Sequence, residues 1–198
     1  MQILVLAVIA AVVLYQLYAT LGRRVGRQPE DAPATGARTV PAPAGPAEAI
    51  AAGPLEGVAA LRARQPDFNT AHFLSGARSA YEMIVKAFAV GDRETLKPLL
   101  ADDVMANFEA AIVAREAEGR SETVEMMSPP RVDLDTVAVV GDTARAVVRI
   151  LAEVRARTTS TEGDAVDDRR TAELWTFERS LKSTNPNWIL VHVAAAEA

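Results

Sequence analysis

From Ile3 to Leu21 the sequence carries no charge and is interrupted only by Gln16 and Thr20, with Tyr15 and Tyr18 toward its downstream end, where amphipathic rings favour the interface. A helix of that length, at about 1.5 Å per residue, reaches across a hydrocarbon core about 30 Å thick. A helix without a polar face must be buried on all sides or lie in lipid. The Pro- and Ala-rich chain beside it offers no core, so residues 1–22 are predicted to be a transmembrane anchor. Ile3, Leu4, Val5, Leu6, Val8, Ile9, Val12, Val13, Leu14, Leu17 and Leu21 form its apolar surface. Arg23, Arg24 and Arg27 follow at once as a basic flank. Basic flanks remain cytoplasmic, which predicts a single-pass protein of a bacterial inner membrane with its C-terminal part in the cytoplasm. A cleaved signal peptide would need a basic stretch ahead of the apolar run, and only Met1 and Gln2 precede Ile3.

Residues 23–66 hold Pro29, Pro33, Pro41, Pro43, Pro46, Pro54 and Pro66 in a background of Ala and Gly. Such a segment cannot bury enough apolar surface to fold, and it reads as a disordered, semi-extended tether. Within it, residues 54–64 form a candidate short amphipathic helix with Leu55, Val58 and Leu61 on one side, next to Arg62 and Arg64. Two roles are open to that helix: lying on an anionic bilayer surface, or packing loosely on the domain that follows.

Residues 67–198 read as the folded domain. Asn69 or Thr70 caps a helix whose one face carries Phe73, Ala77, Tyr81, Ile84 and Phe88, and Gly91 ends it. Asp92 starts a shorter segment limited by Pro98, and Asp102 or Asp103 caps a third helix running to Gly119. The period then changes to two, with strands expected over 122–127, 131–140, 143–157, 169–181 and 187–193. Gly141-Asp142 is a hairpin turn, and residues 158–168 are expected to be a polar connection. Helices followed by an antiparallel meander give an α+β domain, with a curved sheet wrapped on the first helix as a cone. Tyr81, Trp175, Phe177 and Trp188 are the candidates to line a pocket in its concave face, or to fill its core.

A net charge of −5 gives no basic footprint for nucleic acid. The absence of cysteine excludes thiol nucleophiles, disulfides and Cys-ligated metals. His72 and His192 stand alone, Asp102 and Asp103 read as capping residues, and there is no phosphate loop or nucleophile elbow. No catalytic, cofactor or metal residues are therefore assigned. Arg145, Arg149, Arg155 and Arg157, with Arg169, Arg170 and Arg179, could form a face for anionic lipid or an acidic protein, or a solvated face balanced by Glu153, Glu173 and Glu178.

Five blocks stand in order behind the apolar segment and the Pro-rich tether: Phe73-Leu74-Ser75-Gly76-Ala77-Arg78, Ala80-Tyr81-Glu82-Met83-Ile84-Val85, Gly91 to Leu100, Trp175-Thr176-Phe177-Glu178-Arg179, and Asn185-Pro186-Asn187-Trp188. From Phe68 to about Val193 the chain resembles the Tim44-like domain family, which includes alphaproteobacterial TimA-type membrane adaptors and the mitochondrial inner-membrane import-motor adaptor. The resemblance implies a cystatin-like or nuclear-transport-factor-like fold and a membrane-associated adaptor, with contact to anionic lipid. Because the mitochondrial member tethers an Hsp70 chaperone to a protein-conducting channel, it also implies chaperone or translocase contact. This chain carries its own anchor and tether in place of that member's long charged N-terminal region.

The leading expectation is thus a non-catalytic adaptor without cofactor, binding a protein partner and membrane lipid. The alternative is a small-molecule binder or isomerase-like enzyme of the same cone fold, with Glu82, Asp133 or His192 as acid–base group in a polar pocket.

Overall fold

Helix-forming and strand-forming halves of the sequence remain separate layers in space. The computed structural model describes residues 54–196: helices α1 (Pro54–Arg64), α2 (Thr70–Val90), α3 (Arg93–Leu96) and α4 (Asp102–Ala117), followed by strands β1 (Ser121–Met126), β2 (Arg131–Val140), β3 (Thr143–Ser160), β4 (Gly163–Ser180) and β5 (Ile189–Ala195). The predicted span, its basic flank and the first part of the tether lie outside the described residues. Among those described, no helix is long and apolar enough to cross a membrane.

The alternation in β3 organises the sheet. Ala144, Ala146, Val148, Ile150, Ala152, Val154 and Ala156 are all buried, while the residues between them face outward. All of β3 pairs antiparallel with β4, from Thr143↔Ser180 to Ser160↔Gly163. The other edge of β3 is shared in tandem, with β1 on its distal half and β2 on its proximal half. β5 pairs only with residues 173–178 of β4. Two register shifts leave Asp135 in β2 and Val191 in β5 without partners. Bulges of this kind bend and twist a strand, which curves the sheet around α2.

α2 is the helix on which the sheet closes. Asn69 Oδ1 accepts from the His72 N–H at 2.9 Å, and Gly91 ends the helix at φ 74 with its N–H aimed at the Ala87 and Phe88 carbonyls. Phe73, Ala77, Tyr81, Ile84 and Ala87 are buried against β3 and β4 residues of one core cluster. Fully burying an Ile84-sized side chain contributes about 1.5–3 kcal/mol.

Four sequence expectations are corrected. The segment 54–64 forms the expected short helix and takes the second of its two open roles, packing on the domain, so it is not part of the tether. α1 is docked on β2, with Val58 and Leu61 in the core cluster, so the folded unit starts at Pro54 rather than 67. An apolar side buried in the core is not available to a bilayer. Asp102 and Asp103 do not cap α4; the N-cap is Ala101, with no side-chain bond, and the two carboxylates lie in the first turn, where the helix dipole favours them. Residues 158–168 are not a loop, since β3 and β4 run on to a two-residue turn, Thr161-Glu162. Both faces of that arm are solvated, which removes the apolar alternation that marks a strand. Finally, Glu173 does not join Glu153 and Glu178 on the outer face. It pairs with Ile150 on the concave side, and burial raises its pKa.

Candidate functional site

The site grows from the start of α2. Phe68 and Phe73 flank the Asn69 cap, with ring centroids 5.9 Å apart, and form a hydrophobic staple that fixes the angle at which the chain enters the helix. Arg62 Nε holds the Phe68 carbonyl at 3.2 Å, so α1 anchors the same corner. Across from it the β4–β5 connection is folded by Ser183 Oγ, which accepts from the Asn185 N–H, and by Asn185 Oδ1, which accepts from the Asn187 N–H at 3.0 Å. That connection delivers Trp188 onto Phe73, at 4.8 Å between centroids.

Between these two walls lies a groove of about 730 Å³, open to solvent. Phe68, Phe73, Phe177 and Trp188 line it with Ala77, Ala80 and Met83, and Arg64, Asp67, His72 and Arg179 bring the polar groups. Met83 is 46% exposed at the rim of this groove.

Its aromatic lining continues inward. Phe73 meets Phe177 edge-on at 6.4 Å, Phe177 meets Trp175 at 6.2 Å, and Trp175 meets Tyr81 at 4.9 Å. Of the four predicted pocket residues, Phe177 and Trp188 line the groove, whereas Tyr81 and Trp175 are core residues, 1% and 3% exposed. Tyr81 and Thr171 share a hydrogen bond of 3.2 Å, and Trp175 Nε1 donates to Glu173 at 3.0 Å, which satisfies the polar ends of both rings.

Arg179 is the charge of interest in this lining. It lies on the concave side of β4, opposite Ala144, and has no carboxylate within ion-pair distance among the described residues. Its Nε is buried without a hydrogen-bond partner. Arg64 differs: Nη2 meets Asp142 Oδ1 at 2.7 Å, and Lys182 reaches Asp142 from the other side at 2.5 Å. That three-residue clamp ties α1, the β2–β3 turn and the end of β4 together at one side of the groove.

Five of the seven arginines expected on a binding face, Arg145, Arg149, Arg155, Arg169 and Arg170, are engaged in ion pairs. Arg155 makes a two-pronged pair with Asp168 at 2.6 Å, Arg145 pairs with Glu178, and Arg149 approaches Asp135 at 3.8 Å. Arg157, like Arg179, has no ion pair among the described residues. An alternating row of this kind neutralises its own field and gives no uniform basic surface.

The three proposed acid–base groups are not brought together. Glu82 faces Lys86 on the surface of α2, Asp133 accepts from Arg131 on the outer face, and none of the three lines the groove. His192 is the instructive case. Strict alternation would set it beside Leu190 on the concave face, but the bulge at Val191 turns it outward, opposite Thr176. Among the described residues no three of His, Asp and Glu converge as they would on a metal ion.

Sequence reasoning missed Phe68, His72 and Met83 as site residues, and set Arg179 in a basic sheet face rather than in this groove. The phenylalanines on either side of the Asn69 cap were the available signal. The other three acquire their role only through the approach of the β4–β5 connection.

A curved antiparallel sheet closed over a long helix, with the groove at the helix's N-terminal end, is the architecture to which the sequence comparison assigns a family. The chain belongs to the Tim44-like domain family, whose model matches residues 55–195 and so includes the docked α1. Among solved structures it is similar to the intermembrane-space region of the chloroplast protein ARC6, at 17% identity and a TM-score of 0.50, covering 63% of this chain and 97% of that one. An NTF2-like superfamily protein from Salmonella enterica serovar Typhimurium aligns at 13% identity with a TM-score of 0.41, covering 65% and 92%. No curated protein matches the sequence.

Proposed function

We propose that the protein is a membrane-anchored adaptor that acts by binding, and that the groove beside α2 receives a segment of a protein partner at the cytoplasmic face of a bacterial inner membrane. The carrying observation is an open aromatic groove with Arg179 unpaired in its lining. Rigid rings provide large contact area at low entropic cost, and an unpaired guanidinium favours a carboxylate. The matching ligand is a peptide segment with one or two large apolar side chains next to an acidic group. Membership of the Tim44-like family supports an adaptor role in a membrane complex, linked to protein translocation or to assembly of such a complex. The apolar run at 3–21 and the basic flank support the anchoring.

A small-molecule site is the second reading, and the groove's volume alone favours it. Crosslinking in native membranes followed by mass spectrometry separates the two. A defined protein partner recovered with the intact chain and lost with Trp188→Ser and with Arg179→Glu supports the adaptor. Recovery of the same partner with both variants, or of no protein at all, overturns it.

A further inference from the structure

Glycine inside a helix weakens it relative to alanine, and its missing side chain makes room for a close neighbour. Gly57 of α1 has such a neighbour, because the backbone of Val137 in β2 occupies the place of its Cβ. Gly76 of α2 has none among the described residues: a Cβ built on it meets nothing within 4 Å. Nor does its backbone lie in the left-handed region that glycine favours. The room at Gly76 opens instead into the groove. His72, Gly76, Ala80 and Met83 follow one another at spacings of three and four along one face of α2, and all four line it. From His72 to Met83 that face runs about 16 Å, with small residues in its middle.

No strand edge borders this face. The main-chain groups of α2 are engaged within the helix, and in the β4–β5 connection the Asn185 and Asn187 N–H groups are held by side chains, Pro186 has no N–H, and the Leu190 N–H goes to the Leu99 carbonyl. A segment that buries its backbone here must satisfy its own hydrogen bonds, as a helix does. Resting on the reading of the groove as a partner site, we propose that its occupant is an amphipathic α-helix of the partner protein laid along α2. Gly76 and Ala80 let the two helix axes approach toward the near end of the usual 8–10 Å range. The helix turns apolar side chains toward Phe73 and Trp188 and brings a carboxylate to Arg179, whose Nε is buried without a hydrogen-bond partner.

The two ends of the face serve as a ruler. In the full-length chain in its native membrane, a photoreactive residue is placed in turn at His72 and at Met83, and its attachment sites on the partner are mapped by mass spectrometry. A helix along α2 sets the two sites about eleven residues apart, whereas an extended segment spans the same distance in about five. Gly76→Leu, for which the fold has room, lowers both adducts about tenfold while the domain stays folded, and Gly76→Ala lowers them less. Sites about five residues apart, or adducts indifferent to Gly76→Leu, overturn the helix and leave the groove as a partner site. Attachment only to the chain's own tether or to a second copy, or no adduct from either position, overturns the partner reading and the helix with it.

Discussion

Gly57 of α1 lies so close to Val137 of β2 that a Cβ built on it would stand 1.8 Å from the Val137 carbonyl oxygen. Only hydrogen fits between the helix and the strand at this point, and the close approach is what lets Val58 and Leu61 enter the core. α1 is therefore part of the domain, and the Arg62 and Arg64 contacts at the groove's corner depend on its position.

Gly57→Ala should force α1 off β2, with a loss of about 1–3 kcal/mol as for other overpacked contacts. Gly76→Ala is the control: it is also helical, but nothing lies within 4 Å of the added methyl. It should stabilise by up to about 1 kcal/mol through helix propensity. Chemical unfolding of the two variants checks both signs, and equal effects would contradict the docking of α1.

Among the described residues Arg115 is the one charged residue that is buried, at 9% exposure. Its guanidinium donates to the Phe88 carbonyl at 2.6 Å, pairs with Glu122 at 3.2 Å and stands 5.1 Å from the Phe88 ring centre. These contacts join the ends of α2 and α4 to β1. Arg115→Ala should cost about 3 kcal/mol, because Glu122 and the Phe88 carbonyl lose a buried partner. Arg115→Lys should recover little of it, since a point charge cannot serve acceptors in two directions as the planar fork does. Unfolding free energies of the two variants provide the check.

Two carboxyls should give stability opposite dependences on pH. Burial raises Glu173 above the ordinary 4.5, with the Trp175 hydrogen bond opposing. Its folded form holds the proton more tightly than the unfolded chain, so stability falls as pH rises from about 4.5 through the folded value. Glu173→Gln should then raise the melting temperature by a few degrees at pH 7, with the gain fading toward pH 4. Asp142 is lowered below 3.8 by Lys182 first and then by Arg64. Its contribution is present at neutral pH and is lost as pH falls from 3.8 through the lower folded value. Asp142→Asn should therefore melt earlier at pH 7 and converge with the wild type at low pH. Melting curves from pH 2 to 8 test both.

The elements legible in the sequence are those fixed by neighbours. Asn69, Gly91 and Asp92 act on residues three or four positions away, and the alternation through Val154 needs no partner to be read. What stayed hidden depends on distant residues. The role of Gly57 exists only against Val137, some eighty positions on. The distal β3–β4 arm is polar on both faces, so its strand character lies in backbone pairing alone. The bulge at Val191 reverses the face of His192 without any local signature. For the site, Phe177 and Trp188 were separable from Tyr81 and Trp175 only once the β4–β5 connection had been placed over Phe73.

Site-specific photo-crosslinking in native membranes tests the central claim most directly, with the photoreactive residue placed at Met83 in the groove or at Leu151, which is similarly exposed on the outer face of the sheet. The account predicts a discrete protein adduct from position 83, absent from position 151 and abolished by Trp188→Ser. An adduct confined to position 151, or none from position 83, would contradict the groove as the partner-binding site.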